Sequence, residues 1–315
     1  MAERTRPAPD ASIHSLDHFA LAVPGLDDAR SFYADFGLTV RDEAGSLGLY
    51  AAGGPHRWGV VRKDARKHLD WLSFGAHADA MPKIADRLRK LGVATIAPPA
   101  GGPAGGLWFH DMDGLPVHVG VAAKSSPDAK SPFATPAVAA GGKRGASTRS
   151  AAPRVHPRRL SHILRFTPDV LRSVAFYEGV LGMRLSDRSG DGIAFLHAVH
   201  GSDHHVVAFA KSDAPGYHHS SWDMAALEDV GLGGMQMAAK GRTRGWGPGR
   251  HVLGSNYFWY VQDPWGSFAE YSADIDYVPA GTQWAAGDFP PEDAFYLWGP
   301  DPPADFVVNH EATVR

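Results

Sequence analysis

The stretch His251–Glu270, H-V-L-G-S-N-Y-F-W-Y-V-Q-D-P-W-G-S-F-A-E, decides how this chain is read. A run of β-formers from Tyr257 to Val261 breaks at Asp263-Pro264-Trp265-Gly266 and resumes as Ser267-Phe268-Ala269-Glu270-Tyr271, the pattern of a hairpin. Glu270 then falls inside a strand among apolar neighbours. A carboxylate buried there is costly unless it is paired or holds a cation, so its partners must come from elsewhere in the chain.

Working outward, the hairpin closes a unit that recurs. Ahead of it lie a strand over 218–224 and a helix over 225–239; ahead of those, Leu160-Ser161-His162-Ile163-Leu164-Arg165-Phe166 reads as another first strand. Thr167-Pro168-Asp169 supplies an N-cap with Pro at the start of the next helix, which carries Val174-Ala175-Phe176-Tyr177 and ends at Leu181-Gly182, before strands at 192–199 and 204–210. The N-terminal half repeats the order: strand 16–23, helix from Leu26 through Tyr33, and short strands near 38–41, 48–51 and 58–61. A second unit there has a strand at 68–75, a helix at 78–91, and strands near Ala94, 107–110 and 116–121. The pattern is α+β, four βαβββ units in two tandem domains. The boundaries expected are 12–122 for the first domain and 156–278 for the second. Between them, 123–155 is rich in Ala, Ser, Pro, Gly and Lys and reads as a linker. Residues 279–315 form a Pro- and Trp-rich tail that drapes over the body, and residues 1–11 read as a disordered leader.

Composition narrows the function. Basic and acidic residues number 31 and 34 without long runs of either sign, which argues against a nucleic-acid or membrane surface and for small-molecule partners. There is no apolar run of bilayer length, and Met1–Asp10 is polar, so a cytoplasmic location is expected. The absence of cysteine removes disulfides, thiolate nucleophiles and sulfur-ligated metals. Any metal must be held by His, Asp and Glu, and the chain has 17 histidines. If the first strands of the two later units neighbour the last strand, His162, either His218 or His219, and Glu270 converge. Two neutral imidazoles and one carboxylate on one side of a metal leave open positions on the other, which suits non-haem Fe(II) activating oxygen.

Both halves resemble the type I extradiol ring-cleaving dioxygenases of the vicinal oxygen chelate superfamily. Their signature is met by Gly249, His251, Tyr260, Asp263, Pro264, Gly266 and Glu270, with a departure at Trp259 that bears on the shape of the pocket wall. The resemblance implies that His162, His219 and Glu270 ligate Fe(II), with Mn(II) the alternative metal. It implies that His205 is the acid–base residue, and that His251 and Tyr260 hydrogen-bond the substrate. His218 is then expected to point away from the site, and His204 to be a solvent-exposed strand-start residue. In the N-terminal half His18 and His118 match the outer ligands, but Trp71 stands where the middle one belongs, so that half is expected to be a structural copy. The implied activity is cleavage of a catechol-type ring by O2 beside the vicinal diol, in a homo-oligomer. Competing readings are a 4-hydroxyphenylpyruvate-dioxygenase-like or glyoxalase-like enzyme, and a non-catalytic binding protein of the bleomycin-resistance type.

Overall fold

The computed structural model describes residues 8–135 and 139–312. The leader expected at 1–11 lies outside the described residues up to position 7. Beyond that, Pro9–Ala11 form a 3-10 turn, pinned where the Arg87 guanidinium meets the Ala11 carbonyl and His200 Nε2 the Pro9 carbonyl.

The first half runs β1 (Ser15–Val23), α1 (Leu26–Asp35), β2 (Thr39–Glu43), β3 (Ser46–Tyr50), β4 (Arg57–Lys63), β5 (His68–Ala76), α2 (Met81–Lys90), β6 (Leu107–His110) and β7 (Pro116–Val121). Its sheet has the order β2-β3-β4-β1-β5-β7-β6. The second unit is one strand short: the strand expected near Ala94 shrinks to a single bridge between Thr95 and Phe109. Pro98, Pro99 and Pro103 have no N–H to donate, so no ladder can extend along this edge.

The second half runs β8 (Arg159–Thr167), α3 (Val170–Leu181), β9 (Arg184–Ser189), β10 (Ile193–His197), β11 (Ser202–Asp203), β12 (Val207–Lys211), β13 (Gly216–Asp223), α4 (Leu227–Ala238), β14 (Gly245–His251), β15 (Tyr257–Gln262) and β16 (Phe268–Ala273). The domain closes on β17 (Tyr277–Val278), and the tail adds β18 (Gly287–Asp288) and β19 (Tyr296–Trp298). Helix α3 begins where the Asp169 side chain accepts from Arg172 N and ends at Gly182 with φ 75°, a left-handed cap that a Cβ would strain. The opening hairpin forms as expected, with Tyr260 opposite Glu270; Asp263 Oδ1 accepts from Trp265 N and Ser267 N to hold its turn.

The large sheet has the order β18-β9-β10-β12-β8-β13-β16-β15-β14-β19. The tail therefore does more than drape: it pairs with both edges. Only residues 289–295 separate β18 from β19, so the two edges lie within about 30 Å of one another and the sheet is curled into a cup.

Strand alternation gives the cup two faces. Its outer face joins a single apolar core through both halves, including Phe19, Phe32, Phe36, Ile163, Tyr177 and Tyr271. The Tyr271 ring stacks on Phe36 with centroids 3.9 Å apart, and its hydroxyl donates to the Phe36 carbonyl. Buried Arg165 also ties the halves together through Asp111 and Asp113. Trp259 lies on this outer face beneath α4 rather than in a pocket wall, so the sequence departure there concerns packing. Glycine is required above it: a Cβ on Gly234 would run into the Trp259 indole. Gly234→Ala is expected to lower the unfolding free energy by about 1–3 kcal/mol through overpacking, seen as a reduced thermal midpoint with the cavity chemistry unchanged. No helix among the described residues is long and apolar enough to cross a membrane.

Candidate metal centre

The inner face of the cup encloses a cavity of about 580 Å³. Leu164, Phe166, Phe195 and Leu253 form its apolar walls, while Phe306 and Ala294 of the tail close one side. Three strands aim ligating groups at its floor: His162 from β8, His219 from β13 and Glu270 from β16. Register explains the meeting, because Ser221 of the central strand pairs with His162 on one side and Glu270 on the other. His162 Nε2 lies 3.3 Å from both His219 Nε2 and Glu270 Oε2, and His219 Nε2 lies 3.6 Å from Glu270 Oε2. Among the described residues these three are the group of His, Asp and Glu side chains able to hold a metal ion.

Hydrogen bonding behind the imidazoles sets what they present. Arg159 grips Asp203, Ser161 Oγ donates to Asp203 Oδ2 at 2.7 Å, and the same Oγ is left to accept from His162 Nδ1 at 3.3 Å. His218 Nε2 donates to the Phe306 carbonyl at 2.7 Å, so its Nδ1, 2.6 Å from His219 Nδ1, is the acceptor of that pair. Each ligand imidazole therefore holds its proton outward and faces its partners with a bare Nε2. Glu270 is fully buried; Asn256 Nδ2 donates to its Oε1 at 3.0 Å, while Oε2 has no hydrogen-bond partner among the described residues. Burial, with the adjacent imidazoles, keeps His219 neutral. Three acceptor atoms thus meet with no proton among them, a donor set that fits a divalent cation.

His218 corrects the expectation that it points away. Tyr217 pairs with Arg165 and His219 with Leu164, so His218 is an inserted residue, and this bulge turns it into the same cavity. His204 is corrected too: it is wholly buried rather than solvent-exposed. Its Nε2 lies 2.7 Å from Asp187 Oδ2 and its Nδ1 3.0 Å from His205 Nδ1. His205 lines the cavity with its ring 4.0 Å from that of His162, and burial followed by the surrounding imidazoles lowers its pKa well below the usual value.

His251 Nδ1 donates to the Phe295 carbonyl at 2.8 Å, and Tyr260 Oη donates to His251 Nε2 at 2.9 Å. Burial and then the Glu270 charge raise the Tyr260 pKa far above its ordinary value, so it remains a hydroxyl. Trp246 supports this pair from behind, stacked 5.7 Å from Tyr260, and Trp265 packs against the main core; neither lines the cavity. Sequence reasoning missed Asn256, Ser161, Asp203, Asp187 and the tail's Phe306. Only the proximity of Asn256 to His251 offered a cue.

The N-terminal half reproduces the register, with His18 opposite Ser73 and Ser73 opposite His118. Trp71 occupies the place of His219, and its Nε1 points at His18 Nε2 across 3.4 Å. An indole donates and cannot ligate.

The two halves match the model of the Glyoxalase/Bleomycin resistance protein/Dioxygenase superfamily over residues 15–119 and 159–271, and the chain belongs to that superfamily. Within it, the chain is 52% identical to Metapyrocatechase 2 of Cupriavidus necator, over 96% of this chain and 94% of that one. It is 30% identical to Biphenyl-2,3-diol 1,2-dioxygenase of Paraburkholderia xenovorans (strain LB400), over 82% of this chain and 87% of the other. The solved Mn(II)-bound glyoxalase from Novosphingobium aromaticivorans superposes with a TM-score of 0.74 at 27% identity, covering 93% of this chain and 94% of that chain.

Proposed function

We propose that this chain is an extradiol dioxygenase that cleaves the ring of a catechol-type substrate with O2 beside the vicinal diol, in aromatic-compound catabolism. His162, His219 and Glu270 hold Fe(II), with Mn(II) as the alternative. The observation that carries this is the meeting of three proton-free acceptor atoms, 3.3–3.6 Å apart, on the floor of an apolar cavity. Identity of 52% with a relative named a metapyrocatechase supports the substrate class.

When bound, the metal supplies the redox and Lewis-acid chemistry and brings diol and O2 together. The protein's side chains do the rest. His205, neutral with its Nδ1 engaged by His204, takes a proton from a diol hydroxyl and later returns one to the cleaved product, a task usually worth about 10²–10⁴ in rate. The Tyr260 hydroxyl, whose one proton goes to His251 Nε2 before substrate arrives, becomes a donor to a substrate oxygen by turning that proton off His251 as charge builds there. Leu164, Phe166 and Phe195 pack the ring and exclude water.

A glyoxalase-like isomerase, which the solved neighbour makes the competing reading, would consume no oxygen. Protein loaded anaerobically with Fe(II) is expected to take up O2 and form a yellow ring-fission product with at least one member of a broad catechol panel. Absence of both across the panel would refute the proposal.

A further inference from the structure

Two histidines of the cavity, His219 and His205, are each preceded by a second buried histidine that meets it Nδ1 to Nδ1. The first pair ends at a backbone carbonyl. The second ends at a carboxylate, Asp187, itself buried. We propose that Asp187 and His204 are positioning residues that act through His205, fixing the tautomer in which His205 offers a bare Nε2 to the substrate. The proposal rests on the acid–base role given to His205 above.

With both imidazoles neutral, the proton count along the chain has one solution. An ionised carboxylate only accepts, so His204 carries its proton on Nε2, 2.7 Å from Asp187 Oδ2. His204 Nδ1 is then an acceptor, and its 3.0 Å contact with His205 Nδ1 is a hydrogen bond only if His205 donates. His205 therefore keeps its proton on Nδ1 and its lone pair on Nε2. A base that takes a proton from a diol hydroxyl needs that lone pair.

Each member is held in place independently. Asp187 Oδ1 accepts from Gly287 N at 2.7 Å, so the carboxylate cannot rotate, and this bond also fastens β18 to β9. His204 N donates to the Asp276 carbonyl at 2.6 Å, and the Ser186 hydroxyl meets the His204 carbonyl. Gly254, at φ 90°, closes over the two rings: a Cβ there would sit 3.3 Å from His205 Cε1 and 3.5 Å from His204 Nδ1. A larger residue there would be strained by the positive φ and would press on His205 by a few tenths of an ångström.

Asp187→Asn is the informative change because the surroundings decide how the amide sits. Gly287 N–H claims the amide oxygen, so the NH2 group faces His204 Nε2 and donates to it. His204 then moves its proton to Nδ1, His205 Nδ1 becomes the acceptor, and His205 presents N–H to the cavity. Shape is kept while the polarity of the whole chain reverses. Reversal of tautomer by the corresponding change in a serine-protease triad lowers kcat by about 10⁴.

The test has two readouts. Nitrogen-15 spectra of the imidazoles in metal-free protein are expected to show His205 protonated at Nδ1 in the wild type and at Nε2 in Asp187→Asn. In Fe(II)-loaded protein, Asp187→Asn is expected to lower kcat for ring cleavage by about 10²–10⁴ with metal content and KM unchanged. Added to His205→Ala it should cost nothing further, because both act through one group. A wild-type His205 protonated at Nε2 would overturn the proposal, as would an unaltered tautomer in the variant. Loss of kcat that adds fully to that of His205→Ala would overturn it too, by assigning Asp187 a structural role in anchoring β18. If the variant does not fold, the wild-type spectrum still decides. A wild type with the expected tautomer that cleaves no catechol supports the positioning chain and refutes the dioxygenase reading instead.

Discussion

Glu270→Gln is expected to empty the metal centre while leaving the fold intact. The replacement keeps the shape and an oxygen for Asn256 Nδ2, which now donates to Oε1 at 3.0 Å. Because Asn256 orients that oxygen, the new NH2 group must face His162 and His219, whose Nε2 atoms lie 3.3 and 3.6 Å from the present Oε2. It donates to imidazoles that already present lone pairs and satisfies them without a cation. The centre thus loses a ligand and its negative charge together. Changes one shell further out typically cost 10–100-fold in affinity, and loss of a ligand should exceed that. Dialysed variant should carry almost no metal, with ring cleavage falling in proportion. Because the substitution also removes a fully buried charge, the metal-free variant should melt no lower than metal-free wild type. Full metal stoichiometry in the variant would refute the ligand role.

His205→Ala is expected to do the opposite: keep metal and catechol and lose turnover by about 10²–10⁴. The His205 ring packs against that of His162, with centroids 4.0 Å apart and planes tilted by 49°, while its Nδ1 is engaged by His204. Removing it leaves the three facing acceptor atoms and the Ser161 and His218 bonds behind them untouched. His162→Ala, by contrast, should lose the metal. Equal metal loss in the two variants would show that His205 belongs to the centre itself.

Much of this was legible because strands impose a period of two and the units repeat. His162, His219 and Glu270 could be placed from their positions in equivalent strands, and Trp71 from the same alignment in the other half. What failed did so where the period is broken or the contact is remote. Nothing in Tyr217-His218-His219 marks the bulge that turns His218 inward, since the extra residue shows only against the register of β8. His204 read as a strand-start residue because Val206-Val207-Ala208-Phe209 follows it. The exposure expected there is removed by Trp284, whose ring centre lies 5.3 Å from that of His204, and by Gly254. Reading Trp259 as pocket wall puts it on the wrong face of the sheet, and Gly234, which accommodates it, sits on a separate helix. The tail was the largest omission. Its strands are two or three residues long, too short to signal themselves, yet they seal both edges of the cup and deliver Phe306, whose carbonyl orients His218.

The central claim is that this site joins dioxygen to a catechol ring. Its most direct test is mass analysis of the product formed by Fe(II)-loaded protein from a turned-over catechol under ¹⁸O2. Incorporation of two labelled atoms into a ring-opened product, before exchange with water, is the expected result. An unlabelled product, or turnover at an undiminished rate without oxygen, would contradict the account.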